Sequence, residues 1–335
     1  MAKERVSLAE ATDIIMAAFT ANGVPDASAR SVATALVSAE TEGQVGHGFS
    51  RIDDYVAQVR TGKINATSEP SVRRVRPTTI TVNAEFGFAY PAMDLAIEAG
   101  AETAQEFGSS TMSVTHSHHC GALSIQVEKL ARRGLVGIMV ANSPAAIAPW
   151  GAKTPVFGTN PIAFAAPRPN DDPLVIDLSL SRVARGKVLH ARKSGESIPE
   201  GWALDRDGKP TTDPEAALAG TMLPIGGAKG TALALIVEVL ASVVPGASLS
   251  SEASSFFAAE GPPPNVGQFF FTFAPENPAM FGEQLERLLS SILALEGTRL
   301  PGSRRGIAIA KAKSEGLDVP VEFLARARAL ASGEA

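Results

Sequence analysis

The chain has 335 residues, of which 45% are hydrophobic and 19% are charged, and its formal net charge is −5. This composition excludes a disordered chain, and the mild acidic excess without a run of Lys or Arg excludes a nucleic-acid-binding surface. The single Cys excludes a disulfide scaffold and favours a reducing compartment, so we expect a cytoplasmic protein. The length suits one large domain or a few small ones.

The first part of the chain is predicted to be helical. Ser7 and Glu10 have the spacing of a capping box at the start of a helix, and Asn22-Gly23 supplies its stop. Further helices are predicted at residues 25–43 and 50–62. This segment never forms a long apolar run, so it does not resemble a signal peptide, and no stretch of the chain has the length and apolarity of a membrane span.

From residue 77 onward, strands and helices alternate, which predicts an α/β fold. Strands are predicted at residues 78–82, 111–114, 136–140, 174–176 and 269–273. Helices are predicted at residues 91–107, 123–133, 278–295 and 320–331, with another opening after residues 226–230. The turn-rich residues 194–220 predict a long surface excursion, and residues 244–266 predict a mobile loop.

A first candidate site is the sequence GHGFSR at residues 46–51. His47 lies between two glycines on backbone that we expect to be exposed and pliable, and Arg51 falls in the first turn of the next helix. The pair could supply a proton donor and a fork for a carboxylate. The alternative is a surface turn with an ordinary His.

A second candidate is residues 115–122 (THSHHCGA), which carry three of the five His and the only Cys. Zinc would need more widely spaced ligands and a second ligand pair, so we predict no metal site. The segment lies at a strand-to-helix junction, where free N–H groups favour an anion such as the phosphate of a cofactor. The alternative is a solvated, His-rich turn.

Two further turns could bind anions. In GGAKGT at residues 226–231, Lys229 could meet a phosphate, although the spacing of a phosphate loop is absent, and the alternative is a tight packing turn. Arg304 and Arg305 lie just inside a helix, where positive charge opposes the dipole unless an anion binds. The 2′-phosphate of NADP would qualify as that anion, and the alternative is a solvated basic turn.

The usual fingerprints of dinucleotide binding and of a nucleophilic Ser are absent, since no G-x-G-x-x-G follows a strand and no G-x-S-x-G occurs. The residues alone therefore predict an α/β protein with several anion-binding turns and a His/Arg pair. They do not predict a reaction.

Six stretches in this order resemble one enzyme family. They are residues 46–51 (GHGFSR), 117–123 (SHHCGAL), 151–167 (GAKTPVFGTNPIAFAAP), 177–187 (DLSLSRVARGK), 226–230 (GGAKG) and 301–305 (PGSRR). Together they resemble the type-2 malate/L-lactate dehydrogenase family. That family also includes ureidoglycolate and sulfolactate dehydrogenases and Δ1-piperideine-2-carboxylate/Δ1-pyrroline-2-carboxylate reductases.

The resemblance implies a non-Rossmann NAD(P)-binding α/β fold with a largely antiparallel or mixed sheet, a helical domain from both termini, and a homodimer. The expected domains are residues 1–72 with 300–335 (helical), 73–133 with 204–299 (cofactor-binding) and 134–203 (a smaller insertion).

The resemblance also implies roles for individual residues. His47 is expected to be the general acid/base. The expected substrate contacts are Arg51, Thr159, Arg185 and Gly186, with Arg51 gripping a carboxylate. The expected cofactor contacts are His119, Cys120, Gly121, Ala122, Leu123, Asp177, Leu178, Ser179, Ala228, Lys229, Arg299, Gly302, Ser303, Arg304 and Arg305.

The leading hypothesis is reduction of a cyclic imine carboxylate by NADPH, or alternatively NADH, to an L-proline or L-pipecolate type of product. The motif HHCGAL resembles the reductase branch, whereas Gly46 stands where those reductases often carry Ser, which leaves Asp177 as a candidate for orienting His47. The alternatives are a 2-hydroxyacid dehydrogenase of the malate, L-lactate, ureidoglycolate or sulfolactate type, and a non-catalytic ligand- or metal-binding protein. The expected partner is a small carboxylate substrate, with no nucleic acid and no membrane.

Overall fold

The computed structural model describes residues 2–333 and shows a mixed α/β protein. Its helices are α1 (Leu8–Thr20), α2 (Asp26–Thr41), α3 (Ile52–Arg60), α4 (Ala89–Phe107), α5 (Leu123–Ala131), α6 (Arg185–Ser194), α7 (Pro214–Ala219), α8 (Ala228–Glu238), α9 (Pro278–Leu293), α10 (Ser303–Glu315) and α11 (Val321–Ser332). Its strands are β1 (Lys3–Val6), β2 (Ser71–Arg76), β3 (Thr79–Asn83), β4 (Ser109–Ser117), β5 (Val136–Ala141), β6 (Ile162–Ala166), β7 (Leu174–Leu178), β8 (Ala203–Leu204), β9 (Pro210–Thr211), β10 (Thr221–Met222), β11 (Val266–Phe273) and β12 (Leu317–Pro320).

A seven-stranded sheet forms the centre of the molecule, with the strand order β2-β3-β4-β11-β5-β6-β7. The β3–β4 pair is parallel, and the other neighbouring pairs of this sheet are antiparallel. This arrangement confirms the predicted α/β class with a largely antiparallel, mixed sheet. The G-x-G-x-x-G fingerprint belongs to repeated parallel βαβ units, so its absence agrees with this topology.

The centre of the sheet is β11, where Phe270 is paired with Met112 of β4 on one side and with Met139 of β5 on the other. All three side chains are buried. Helix α4 forms the crossover that the parallel β3–β4 pair requires. Gly100 lets α4 approach β4 closely, because a Cβ at this position would lie 1.8 Å from Sδ of Met112.

The two ends of the chain meet. Strand β1 pairs antiparallel with β12, so that Lys3 lies opposite Pro320 and Val6 lies opposite Leu317. Helix α1 packs against α2 and α11. The sequence did not predict β1, because a short strand whose partner lies at the other end of the chain leaves no local pattern. The boundaries of the three expected domains stay predictions.

The predicted surface excursion at residues 194–220 is wrong in part. This segment contains α7, β8 and β9, and the two strands join β10 in a three-stranded sheet. Ile198, Ala203 and Ala217 are buried in a second hydrophobic cluster. Helix α6 was not predicted either, because its sequence RGKVLHARKS carries too few apolar residues to mark a buried face.

The other predicted helices and strands are present with small shifts at their ends, and β2 is an addition. The predicted cap of α1 is confirmed, because the side chain of Ser7 accepts a hydrogen bond from the N–H of Glu10 at 3.1 Å. Between residues 2 and 333, no helix combines the length and the apolar character needed to cross a bilayer.

Candidate active site

His47 and Arg51 lie on two successive 3₁₀ turns between α2 and α3. The carboxylate of Glu40, in the last turn of α2, accepts a hydrogen bond from the N–H of Phe49 at 2.7 Å. A Cβ at Gly48 would lie 2.1 Å from Oε1 of this carboxylate, so the glycine permits a close approach. Burial raises the pKa of Glu40 to about 7. The expectation of exposed backbone is confirmed at Gly46 and is wrong at Gly48, which is buried against the carboxylate of Glu40.

The guanidinium of Arg51 is fixed on several sides. Its Nε donates to the carbonyl oxygen of Gly46 at 2.8 Å, and its Nη1 lies 3.6 Å from a carboxylate oxygen of Asp54. The group also lies over the ring of Phe257, 4.6 Å from the centroid. Only 14% of the side chain is exposed. Arg51 is thus held rigidly beside His47, as a residue that grips a carboxylate should be.

His47 is kept neutral by its surroundings. Burial, followed by the positive charge of Arg51, lowers its pKa to about 4. Its ring stacks on the ring of His119, with centroids 5.3 Å apart and planes inclined by 21°. Its Nδ1 is buried and has no hydrogen-bond partner within residues 2–333, so Asp177 does not orient this ring. A neutral imidazole beside a cation is suited to accept a proton from a ligand held by that cation.

A pair of tyrosines completes this cluster, and the sequence analysis missed both. The hydroxyl oxygen of Tyr55 lies 2.5 Å from Nδ1 of His119 and 3.0 Å from the hydroxyl oxygen of Tyr90. Tyr55 lies in the first turn of α3, four residues after Arg51, which caps the start of that helix. The available signal was that these are the only two tyrosines in the chain.

The segment predicted as a mobile loop is a loop, and hydrogen bonds hold its residues 255–260 next to the site. The ammonium group of Lys63, which is 2% exposed, donates to three of its carbonyl oxygens. These belong to Ser255, Ala258 and Glu260, at 2.7, 2.9 and 3.3 Å. The side chain of Gln58 donates to the carbonyl oxygen of Phe256 at 2.7 Å. The ring of Phe256 consequently lies 5.0 Å from the ring of His119.

The other members of the His cluster point in different directions. Nδ1 of His116 lies 3.0 Å from Oδ1 of Asn83, away from the cluster at His47. His118 is buried with both ring nitrogens unpartnered, and burial, Lys63 and Arg51 lower its pKa to about 3. Burial raises the pKa of Cys120 to about 12, so it remains a thiol. Among residues 2–333, no three His, Cys, Asp or Glu side chains are grouped to hold a metal ion.

The carboxylate of Asp177 binds the N-terminal end of α5. A carboxylate oxygen of Asp177, at the end of β7, accepts a hydrogen bond from the N–H of Ser124 at 2.8 Å. Burial raises the pKa of Asp177 to about 6, and the N–H of Ser124 opposes that shift. The expectation that this N–H is free for a phosphate is therefore wrong. The assignment of residues 119–123 to a cofactor stays a prediction.

Arg305 is also engaged. Its guanidinium contacts the carboxylates of Glu42, at 2.6 Å, and of Glu128. Glu42 in turn accepts a hydrogen bond from the hydroxyl of Ser124 at 2.6 Å. This network joins the segment before His47 to the starts of α5 and α10. Arg304, next in sequence, is exposed and forms no ion pair within residues 2–333.

The remaining predicted cofactor segments meet along β7. A Cβ at Gly302 would lie 2.6 Å from the carbonyl oxygen of Val175. Leu180 donates its N–H to the carbonyl oxygen of Thr159 and accepts from the N–H of Ile225, each at 2.8 Å. Among the predicted cofactor residues, those that are exposed are Leu178, Ala228, Lys229, Arg299 and Gly302, whereas Ser179 and Ser303 are half-buried. The structure thus brings together segments that are far apart in sequence.

Two predicted site residues lie at the start of α6. Arg185 is half-buried, burial lowers its pKa, and it has no hydrogen-bond or ion-pair partner among the described residues. Gly186 beside it is exposed. No direct hydrogen bond joins Thr159 or Arg185 to His47 or Arg51 in the described part of the chain. Their roles stay predictions.

A family model described as malate/L-lactate dehydrogenase matches residues 6–327. The chain belongs to that family, and it is an oxidoreductase. It is 47% identical to a (2R)-3-sulfolactate dehydrogenase (NADP(+)) of Chromohalobacter salexigens, over 97% of this chain and 98% of the relative. It is 38% identical to a Δ1-pyrroline-2-carboxylate reductase of Pseudomonas fluorescens, over 97% and 98%.

A solved structure of a Δ1-piperideine-2-carboxylate reductase from Pseudomonas syringae superposes with a TM-score of 0.92. It is 34% identical and covers 98% of this chain and 99% of its own. The predicted family and the non-Rossmann fold are confirmed. These relatives act on different substrates, so they do not decide which substrate this chain uses.

Replacing His118 by Asn should make the folded protein less sensitive to acid. The pKa of His118 is about 3 in the folded protein, against the ordinary value of 6.5 that we expect in the unfolded chain. Between pH 6.5 and pH 3, the imidazole is therefore protonated in the unfolded chain and neutral in the folded one. Stability due to this residue is therefore lost as the pH falls. The free energy of unfolding of variant and wild type is measured with urea at pH 7.5 and at pH 5. From the higher to the lower pH, the difference between them should move by about 2 kcal/mol in favour of the variant.

The matched control is His190→Asn. His190 is exposed on α6, so its surroundings change little on unfolding and the same comparison should show no such movement. An equal difference between wild type and His118→Asn at both pH values would contradict the assignment of a neutral, buried His118.

Proposed function

We propose that the chain is an NADP-dependent dehydrogenase of a short 2-hydroxy acid that carries a second acidic group, as 3-sulfolactate does. The observation that carries the proposal is the pair of a neutral His47 and a rigid Arg51. The sequence identity of 47% to a (2R)-3-sulfolactate dehydrogenase supports the choice of substrate class.

In this proposal Arg51 binds the carboxylate next to the carbon that carries the hydroxyl group. Neutral His47 accepts the hydroxyl proton during oxidation and returns a proton during reduction. A bound nicotinamide supplies the hydride acceptor or donor for that carbon. A carboxylate on Arg51 offsets the charge that lowers the pKa of His47, so substrate binding makes His47 a stronger base.

The second acidic group is assigned to Arg185. This cation is half-buried and unpartnered within residues 2–333, and burial lowers its pKa, so an anion at this position would be favourable. A sulfonate or a second carboxylate would satisfy it. Lactate, which has neither group, should therefore be a poorer substrate.

The residues along β7 fit a dinucleotide that carries phosphates. Lys229, Arg299 and Arg304 are exposed cations without ion pairs in the described residues, and Gly302 lies too close to β7 for a side chain. Arg305 is already neutralised by Glu42 and Glu128. We therefore assign the 2′-phosphate of NADP to Arg304.

A second candidate function is the reduction of a cyclic imine carboxylate, as in the leading hypothesis from the sequence. The similarity to the reductases of Pseudomonas fluorescens and Pseudomonas syringae favours it. A carboxylate next to the reacting carbon is common to both substrate classes, so Arg51 has the same role in both. Gly46, in place of the Ser often found in those reductases, supports the first candidate.

A substrate panel tests the proposal. Purified protein is given NADP⁺ with 3-sulfolactate, malate or lactate, and NADPH with Δ1-piperideine-2-carboxylate or Δ1-pyrroline-2-carboxylate, and the absorbance of the reduced nicotinamide is followed. We expect the largest kcat/KM for 3-sulfolactate, then malate, with lactate as the control that lacks a second acidic group. Turnover of the cyclic imines alone would reject the proposal and select the second candidate.

Arg304→Ala should weaken binding of NADPH while leaving NADH unaffected. Loss of a charge-assisted contact to the 2′-phosphate should raise the Kd of NADPH about tenfold. The Kd of both nucleotides is measured by fluorescence titration, with NADH as the internal control because it lacks that phosphate. Equal weakening of both nucleotides, or of neither, would contradict the assignment of Arg304.

A homodimer and a cytoplasmic location stay predictions. The surface that favours a homodimer is an apolar strip along α8 and the π turn that follows it. Its exposed members are Leu233, Leu235, Ile236, Val239, Val243 and Val244. Several exposed apolar side chains on one element are typical of a contact with another chain.

A further inference from the structure

Tyr55 and Tyr90 form a row of hydroxyl groups that ends at His119. The Tyr90 oxygen lies 3.0 Å from the Tyr55 oxygen, and the Tyr55 oxygen lies 2.5 Å from Nδ1 of His119. Both tyrosines are almost fully buried, at 1% and 2% exposure. Neither hydroxyl has another hydrogen-bond partner among residues 2–333, so the direction of the two bonds must satisfy both protons from within this row.

Only one direction of the row gives each proton an acceptor. Burial raises the pKa of both phenols, so each keeps its proton. If Tyr90 donates to Tyr55 and Tyr55 donates to Nδ1 of His119, both protons are bonded. The reverse direction starts from a proton on Nδ1 and leaves the buried hydroxyl proton of Tyr90 without an acceptor, which is unfavourable. Nδ1 of His119 is therefore the acceptor, and its proton lies on Nε2.

We propose that Tyr55 is a positioning residue that fixes His119 as the Nε2–H tautomer, so that His119 donates a hydrogen bond to a carbonyl or hydroxyl oxygen of the bound ligand beside His47. This inference rests on the proposed function for the identity of the ligand. The oxygen could belong to the substrate or to the carboxamide of the nicotinamide. The assignment of the tautomer depends on neither.

The surroundings of His119 favour a neutral donor over a cation. Burial, then the charge of Arg51 and the neighbouring rings of His47 and His118, lower its pKa well below the ordinary value. Its ring is stacked on His47 and packed against Phe256, so it cannot swing freely. Nε2 makes no hydrogen bond within the described residues, which leaves it available to a ligand.

The backbone next to His119 is shaped around the tyrosine pair. Gly121 has φ of +66°, and a Cβ there would lie 2.7 Å from the hydroxyl oxygen of Tyr90. This glycine of the HHCGAL motif thus admits the Tyr90 hydroxyl in the place of a side chain. The motif and the tyrosine pair form one unit.

The test uses protein labelled with ¹⁵N at histidine, in which long-range ¹H–¹⁵N spectra distinguish the two tautomers. His119→Gln assigns the resonances of His119. We expect Nε2–H in the wild type, Nε2–H again in Tyr90→Phe, and a mixture of tautomers in Tyr55→Phe. Tyr90→Phe is the matched control, because it removes the same hydroxyl group one step further from the ring. Nδ1–H in the wild type, or an unchanged spectrum in Tyr55→Phe, would overturn the proposal.

Kinetics of Tyr55→Phe then identify the ligand oxygen. A fall of about tenfold in kcat/KM for the substrate with an unchanged Kd for NADPH indicates the substrate oxygen, and a weaker Kd for NADPH indicates the carboxamide. If both kcat/KM and the Kd for NADPH are unchanged, His119 does not donate a hydrogen bond to the ligand. If Tyr55→Phe does not fold, the wild-type and Tyr90→Phe spectra still decide the tautomer, and His119→Gln replaces it in the kinetics. The spectra need no substrate, so they remain decisive if the proposed function fails.

Discussion

The buried hydroxyl of Tyr55 ties together the three parts of the chain that form the candidate active site. Tyr55 belongs to α3, its partner Tyr90 belongs to α4, and its other partner His119 follows β4. Because Arg51 lies one helical turn before Tyr55, the same contact places the guanidinium relative to the central sheet. His47 then takes its position by stacking on His119. The relative positions of His47 and Arg51 therefore depend on the packing of the Tyr55 side chain.

The histidines of the site share one pattern, in which burial, and after it the charge of neighbouring cations, lowers their pKa values and keeps them neutral. Burial and Arg51 act on His47, while Lys63 and Arg51 add to burial at His118. An imidazole in such a field is a proton acceptor until an anion arrives. In the proposed function, a substrate carboxylate on Arg51 supplies that anion, and recognition of the substrate is linked to the basicity of His47.

The sequence predicted the parts of the molecule that have a local pattern. The structure contains the predicted strand at residues 269–273 and the capped first helix. The family was predicted from motifs such as GHGFSR and HHCGAL, which occur in the order that the family shows. Contacts across long separations had no local signal. The N–H of Ser124 donates a hydrogen bond to Asp177, and the guanidinium of Arg305 donates one to Glu42. The ammonium group of Lys63 donates to the carbonyl oxygen of Ser255, in the loop around Phe256. For this reason the prediction of a free helix start was wrong, the anchoring of the predicted loop was not foreseen, and the tyrosine pair was missed.

The central claim is that His47 carries the proton of the reaction while other residues bind the cofactor. The most direct measurement is turnover of His47→Gln on the substrate that the wild type uses best, together with its Kd for NADPH. We expect a loss of at least about 100-fold in kcat, as for removal of a general acid or base, with an unchanged Kd. A kcat of His47→Gln within about twofold of the wild-type value would contradict the role of His47 in proton transfer.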